Sequence, residues 1–158
     1  MSIPPSSQAD SWYLSGLCFT CTRCGNCCRG GAGYVFVDRV ALKRIARRLG
    51  LSTSDFGRRF LRRVGDRLSL LEKANGDCIF WDGGCTIYEA RPLQCRTYPF
   101  WSGNLQSPEL WTMTAAECPG IGQGERFSYA AIELVRTGRA DAASEHDETA
   151  EADHDGTD

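Results

Sequence analysis

Four thiols packed into eight residues, Cys21-Thr22-Arg23-Cys24-Gly25-Asn26-Cys27-Cys28, are the densest chemistry in the chain. Thiolates three residues apart on a turn converge on one point, the arrangement that holds a soft metal ion or an iron–sulfur cluster. Gly25 and Asn26 supply the backbone freedom so tight a wrap needs. Cys27 and Cys28 are adjacent, so their side chains diverge and do not easily serve one tetrahedral ion. One of the pair is expected to bridge to a second metal or to remain a spare or redox thiol. Cys78, Cys85, Cys95 and Cys118 follow downstream and bring the count to eight, enough for two four-cysteine centres. The ninth, Cys18, sits in an apolar approach segment and reads as a small buried hydrophobe.

The competing reading of so many cysteines is a disulfide framework. The packing of CxxCxxCC favours metal. So does a start, MSIPPSSQAD, without the basic and apolar regions of a secretory signal, from which a reducing, cytoplasmic location is expected. Both histidines, His146 and His154, lie in the last nineteen residues, so a centre in the body is expected to use thiolate or carboxylate. Structural zinc usually takes two CxxC pairs, whereas the downstream intervals here are irregular. A CxxCxxC triple completed by a remote Cys118-Pro119 is closer to a ferredoxin-like run, which favours an iron–sulfur cluster over Zn2+.

Residues near the thiols would tune such a centre. Arg23, Arg29, Arg91 and Arg96 could offset thiolate charge, and Arg96, between Cys95 and Tyr98-Pro99, is the preferred contact to the cofactor. Trp81, Tyr88, Tyr98, Phe100 and Trp101 are expected to form a dry wall around it. Catalysis is not expected: no general-base pair is evident, and Cys28 is a candidate nucleophile without a visible activating base.

The elements that must position these residues form one α+β domain, with short strands, a hairpin and two to four helices. Its expected bounds are 12–139, between a flexible N-terminus at 1–11 and a disordered tail at 140–158. Residues 12–19 read as a partly extended apolar entry, and 33–37 (GYVFV) as a short strand. A helix is predicted from an Asp38 cap to Gly50, with Ala41, Ile45 and Leu49 on one face. Ser52 and Asp55 open a second helix, predicted to turn Phe56, Phe60, Leu61 and Val64 inward. Asp82-Gly83-Gly84 between two β-like runs, 78–81 and 85–88, predicts a hairpin. Further on, 110–114 reads as a strand, GIGQG as a loop beside the cysteines, and 126–137 as a last helix.

Charge divides the chain. Residues 1–139 carry 18 basic and 12 acidic side chains, a balance of +6, whereas 140–158 carry eight acidic side chains and no Lys or Arg. Such a tail cannot bury enough apolar surface to order itself. Ten of the basic residues lie between 39 and 67. They read either as a surface for nucleic acid or an acidic protein partner, or as the solvated faces of two amphipathic helices shielded by the tail. The missing aromatic interleaving favours the second. No apolar run has the length of a membrane span, so a membrane partner is not expected.

The strings FTCTRCGNCC, CIFWDGGCTIYEARPLQCRTYPF and CPGIGQG together resemble the YkgJ-like CxxCxxCC cysteine-cluster family, from about Phe19 to Gly124. The resemblance implies a zinc- or iron-chelating domain. It marks Cys21, Cys24, Cys27, Cys28, Cys78, Cys85, Cys95 and Cys118, with Arg91, Pro92, Arg96, Tyr98 and Pro99 in support. Cys18 and the acidic tail lie outside it. Flagellin lysine N-methylases carry a similar cluster, but this chain shows no methyl-donor site.

Overall fold

The computed structural model describes residues 11–29 and 33–139. Of the segments expected to be flexible or disordered, 1–11 and 140–158, all but Ser11 lie outside the described residues, as do Gly30, Gly31 and Ala32. The architecture is α+β, as the pattern indicates: the described residues form five α-helices and two small antiparallel sheets.

Helix α1 (Arg39–Leu49) has both expected ends. The Asp38 carboxylate accepts a hydrogen bond from the Ala41 N–H at 2.8 Å, and Gly50 closes the helix in the left-handed conformation. Helix α2 (Thr53–Phe60) starts at the Ser52 cap but stops four residues earlier than its apolar face suggests. Leu61–Val64 is strand β2, paired with β3 (Arg67–Leu70) from Leu61↔Leu70 to Val64↔Arg67. The two-residue loop Gly65-Asp66, with Gly65 at φ 62°, turns the chain back and wins over continued helix. The expected strand at 33–37 makes one bridge to this hairpin, Phe36↔Ser69.

The predicted hairpin around Asp82-Gly83-Gly84 reduces to one bridge, Trp81↔Cys85, in a strap of tight turns that leads into a 3₁₀ turn at Tyr88–Ala90. The turn itself forms, with the Asp82 N–H bonded to the Gly84 carbonyl, but no ladder extends from it because Cys78 donates instead to the Cys28 carbonyl at 2.7 Å. A short helix α3 (Leu93–Arg96) follows Pro92. The strand expected at 110–114 is helix α4 (Pro108–Glu117): Ser107 caps it and Pro108 occupies its first turn, where a missing N–H costs nothing. The GIGQG stretch is not a loop but part of β4 (Ile121–Phe127), which pairs with β1 (Leu17–Phe19). Helix α5 (Tyr129–Arg136) completes the fold, shorter at its start than predicted because β4 runs to Phe127.

Two apolar clusters organise these elements. One centres on Ile45, Phe56, Leu70, Phe80 and Ile87; the other on Tyr13, Phe100, Leu105, Trp111 and Ile132. In the first, Phe56 is fully buried and stacks on Phe80, ring centroids 6.2 Å apart, which anchors the strap to α2.

Candidate metal centre

Three ties bring the CxxCxxCC segment against the distant parts of the chain. Gly25, at φ 79°, lies so close to the Trp81 ring that a β-carbon there would stand 2.0 Å from it. Cys78 donates its N–H to the Cys28 carbonyl, and the Asn26 side-chain amide donates to the Glu117 carbonyl at 2.7 Å, one residue before Cys118. Thr20 likewise donates its N–H to the Gly120 carbonyl at 3.1 Å, and Gly120 has no room for a side chain against Thr20. Only a residue without Cβ permits that approach.

These ties enclose a cavity of about 320 Å3 between the two apolar clusters. All eight cysteines singled out from the sequence, Cys21, Cys24, Cys27, Cys28, Cys78, Cys85, Cys95 and Cys118, line it. Cys18 does not; it sits in β1 opposite Arg126. Of the aromatic residues expected as a wall, Trp81, Tyr88 and Tyr98 line the cavity, while Phe100 belongs to the second core and Trp101 stands elsewhere. Arg23 and Arg91 line it as well; Arg96, the preferred cofactor contact, is not among the lining residues, and neither is Arg29.

The thiols fall into two electrostatic groups. Cys27 and Cys28 have their sulfurs 3.9 Å apart, and Cys28 is also hydrogen-bonded to Cys85. The Cys28 thiol keeps its proton and shares it: its own pKa is pushed up by both partners and by burial. The hydrogen bond from Cys28 lowers Cys27 to about 7 and Cys85 to about 6, against burial, with the charge of Arg91 assisting at both. Cys78 and Cys95 feel the same charges; burial foremost pushes both up, Cys95 to about 12. Cys118, raised by burial, senses Cys24 and the Tyr98 hydroxyl as a second group, and Cys21 is hydrogen-bonded to Tyr88.

Tyr88 is clasped between two guanidinium groups, Arg23 at 3.9 Å and Arg91 at 3.8 Å from the ring centroid. Arg91 is fixed there by its Nε–H bonded to the Tyr88 carbonyl at 2.8 Å. Arg23 holds a left-handed backbone, φ 57°, which a side chain adopts only at a cost. The clasp places two positive charges beside the thiols. Nothing in the local sequence pattern signals it, because it needs the Tyr88–Ala90 turn to meet the first cysteine segment.

The donor set fits zinc or iron by chemistry: thiols only, with cationic and aromatic residues around them. Among the described residues no three Cys, His, Asp or Glu side chains already converge as a coordination sphere. The thiols share one cavity, and each sulfur swings on a single χ1 torsion.

The family model described as "CxxCxxCC: Putative zinc- or iron-chelating domain" matches residues 20–119. The chain belongs to this family. It is similar to the uncharacterized protein MJ0661 of Methanocaldococcus jannaschii, 29% identical over 147 residues, which covers 85% of this chain and 79% of that protein. No solved structure matches. No helix among the described residues is long and apolar enough to cross a membrane.

Proposed function

We propose that this protein chelates zinc or iron through the thiols of the cavity that eight of its cysteines line, in one or two centres, for redox chemistry or metal handling. One observation carries the reading: eight cysteines from segments up to 97 residues apart line the same cavity, and the ninth does not. Cys27, Cys28, Cys78, Cys85 and Cys95 make up one donor group, Cys24 and Cys118 belong to another, and Cys21 adds a thiol beside Tyr88. Eight donors exceed the four of one tetrahedral ion, so two centres or a polynuclear cluster suit them better than a single zinc. Cys118 feels the charge of Cys24 and lines the same cavity, which is in keeping with the ferredoxin-like spacing, and iron–sulfur is preferred over zinc on that spacing. A bound centre would supply Lewis acidity if zinc, or one-electron chemistry if iron–sulfur. The chain's own residues would bind and enclose it, with Arg23 and Arg91 offsetting thiolate charge.

The alternative, a zinc-stabilised module that binds nucleic acid or an acidic partner through residues 39–67, has less support. Several of those arginines already have partners: Arg44 donates to the Arg91 carbonyl, Arg62 pairs with Glu72, and Arg58 pairs with Asp55 on the helix surface. Purification without oxygen, followed by metal analysis and an absorption spectrum, tests the reading. Iron with acid-labile sulfide and a broad band near about 400 nm is expected. Colourless protein with stoichiometric zinc would replace the iron–sulfur preference, and protein devoid of both metals would refute chelation.

A further inference from the structure

A second opening, a groove of about 930 Å3, shares no residue with the cysteine cavity. The start of α1, the β2–β3 hairpin, α3 and the end of α5 form its walls. Four guanidinium groups reach it, from Arg39, Arg63, Arg67 and Arg136. Two carboxylates do so too: Asp38, engaged in capping α1, and Asp66 at the hairpin tip. Arg136 is neutralised by Glu133 at 2.7 Å, and Arg67 lies over the Phe36 ring at 3.6 Å, with no carboxylate partner among the described residues. Arg39 and Arg63 are exposed, and among the described residues neither pairs with a carboxylate. With Arg136 neutralised, three guanidinium groups line an open groove against two carboxylates, a small positive excess.

The lip of this groove is Thr137-Gly138, and the acidic segment begins three residues later at Asp141. We propose that the chain's own segment 140–158 docks in the groove, with its carboxylates paired to Arg39, Arg63 and Arg67. Charge complementarity is the first support: eight acidic side chains and no basic one, attached to a body of net charge +6. Attachment is the second. An extended chain advances about 3.3–3.6 Å per residue, so the first carboxylates are within reach of the arginines that share the groove with Gly138. Tethering so close gives an effective concentration on the order of millimolar, enough to make individually weak exposed pairs persist. The docked segment would exclude other polyanions from the groove, an intramolecular competitor rather than a passive appendage.

Amide NMR of the full chain tests this, between about 20 mM and about 500 mM salt, where screening of exposed charges changes most. The Trp101 indole, the Thr137 and Gly138 amides and the 141–155 amides should shift together with salt. Arg39→Ser with Arg63→Ser at low salt should reproduce the high-salt spectrum. If neither salt nor the double substitution moves the 141–155 amides, the segment does not dock. A single-stranded oligonucleotide provides a second readout. Replacing all eight acidic residues of the segment by Asn or Gln in the full chain should tighten its binding by at least about tenfold at low salt. The two arginine substitutions should abolish that gain. Equal affinity before and after neutralisation, whether strong or weak, would overturn the proposal, and strong equal affinity would assign the groove to nucleic acid.

Discussion

Gly25→Ala isolates the contact that closes the cysteine cavity. Gly25 sits at φ 79°, where a non-glycine residue is strained by about 1–2 kcal/mol. Its new methyl would also meet three atoms of the Trp81 ring, at 2.0, 2.2 and 2.8 Å. A ring cannot yield as the tip of a flexible chain can. The strap that carries it is tied at Cys78, at the Trp81↔Cys85 bridge and by Lys73, which donates to the Trp81 carbonyl. Overpacking of this kind adds about 1–3 kcal/mol, for a total of about 2–5 kcal/mol. Gly76 supplies the control, since it has φ 88° and nothing within 4 Å of a built β-carbon. Gly76→Ala should therefore cost only the backbone strain, about 1–2 kcal/mol. Urea unfolding of the protein as isolated, with metal content measured on the same samples, reads both variants. Gly25→Ala should be the less stable and lose metal, while Gly76→Ala keeps its metal. In a Trp81→Leu background the Gly25→Ala cost should shrink by about 1–3 kcal/mol, the steric part. Equal costs for the two alanine variants, with metal retained in both, would refute the claim that this contact closes the site.

Phe56→Ala should destabilise by about 3–5 kcal/mol in chemical unfolding, because a fully buried ring stacked on Phe80 leaves a cavity beside the strap. Glu133 is held below the usual carboxylate range by its hydrogen bonds from Arg136, with Tyr13 donating a further one at 2.6 Å. Its contribution to stability is therefore present above about pH 4.3 and lost as pH falls through the lower folded-state value. Stability curves of Glu133→Gln and native protein should converge at acid pH and separate above about pH 4.5. Strong chelation should unfold the body and not merely empty the cavity, because thiolate binding energy is folding energy where no site exists in the unfolded chain. A cooperative melt that survives chelation unchanged would contradict that.

What could be read from the chain was local. Helix α1 was legible because Asp38, the Ala41/Ile45/Leu49 face and Gly50 all lie within one thirteen-residue window. The cap signals at Ser107-Pro108-Glu109 were equally local, yet a run of apolar and Thr residues at 110–114 pointed to strand instead. Leu61–Val64 misled because its apolar residues continue the helical face of α2, and only the Gly65-Asp66 loop distinguishes hairpin from helix. The β1–β4 pair joins Leu17 to Phe127, and pairing at that separation leaves no local pattern. The glycines of β4 argued for a loop, when Gly120 and Gly124 are there to let the chain pass close to Thr20. At the site, residue types were readable and their meeting was not. The eight cysteines could be separated from Cys18 by its apolar segment and by the family pattern, whereas the Arg23–Tyr88–Arg91 clasp exists only once the strap folds back.

The central claim, that thiols far apart in the sequence hold metal together in the cysteine-lined cavity, is tested most directly by the metal-to-protein ratio of oxygen-free preparations. Native protein, Cys27→Ser, Cys95→Ser and the double variant should be compared under the same growth conditions. Both sulfurs lie in the same electrostatic group, 68 residues apart in sequence. Each single substitution should therefore cost the same equivalent of metal, and the double no more than either alone. Additive losses, or a Cys95→Ser protein with its full metal complement, would contradict the shared centre.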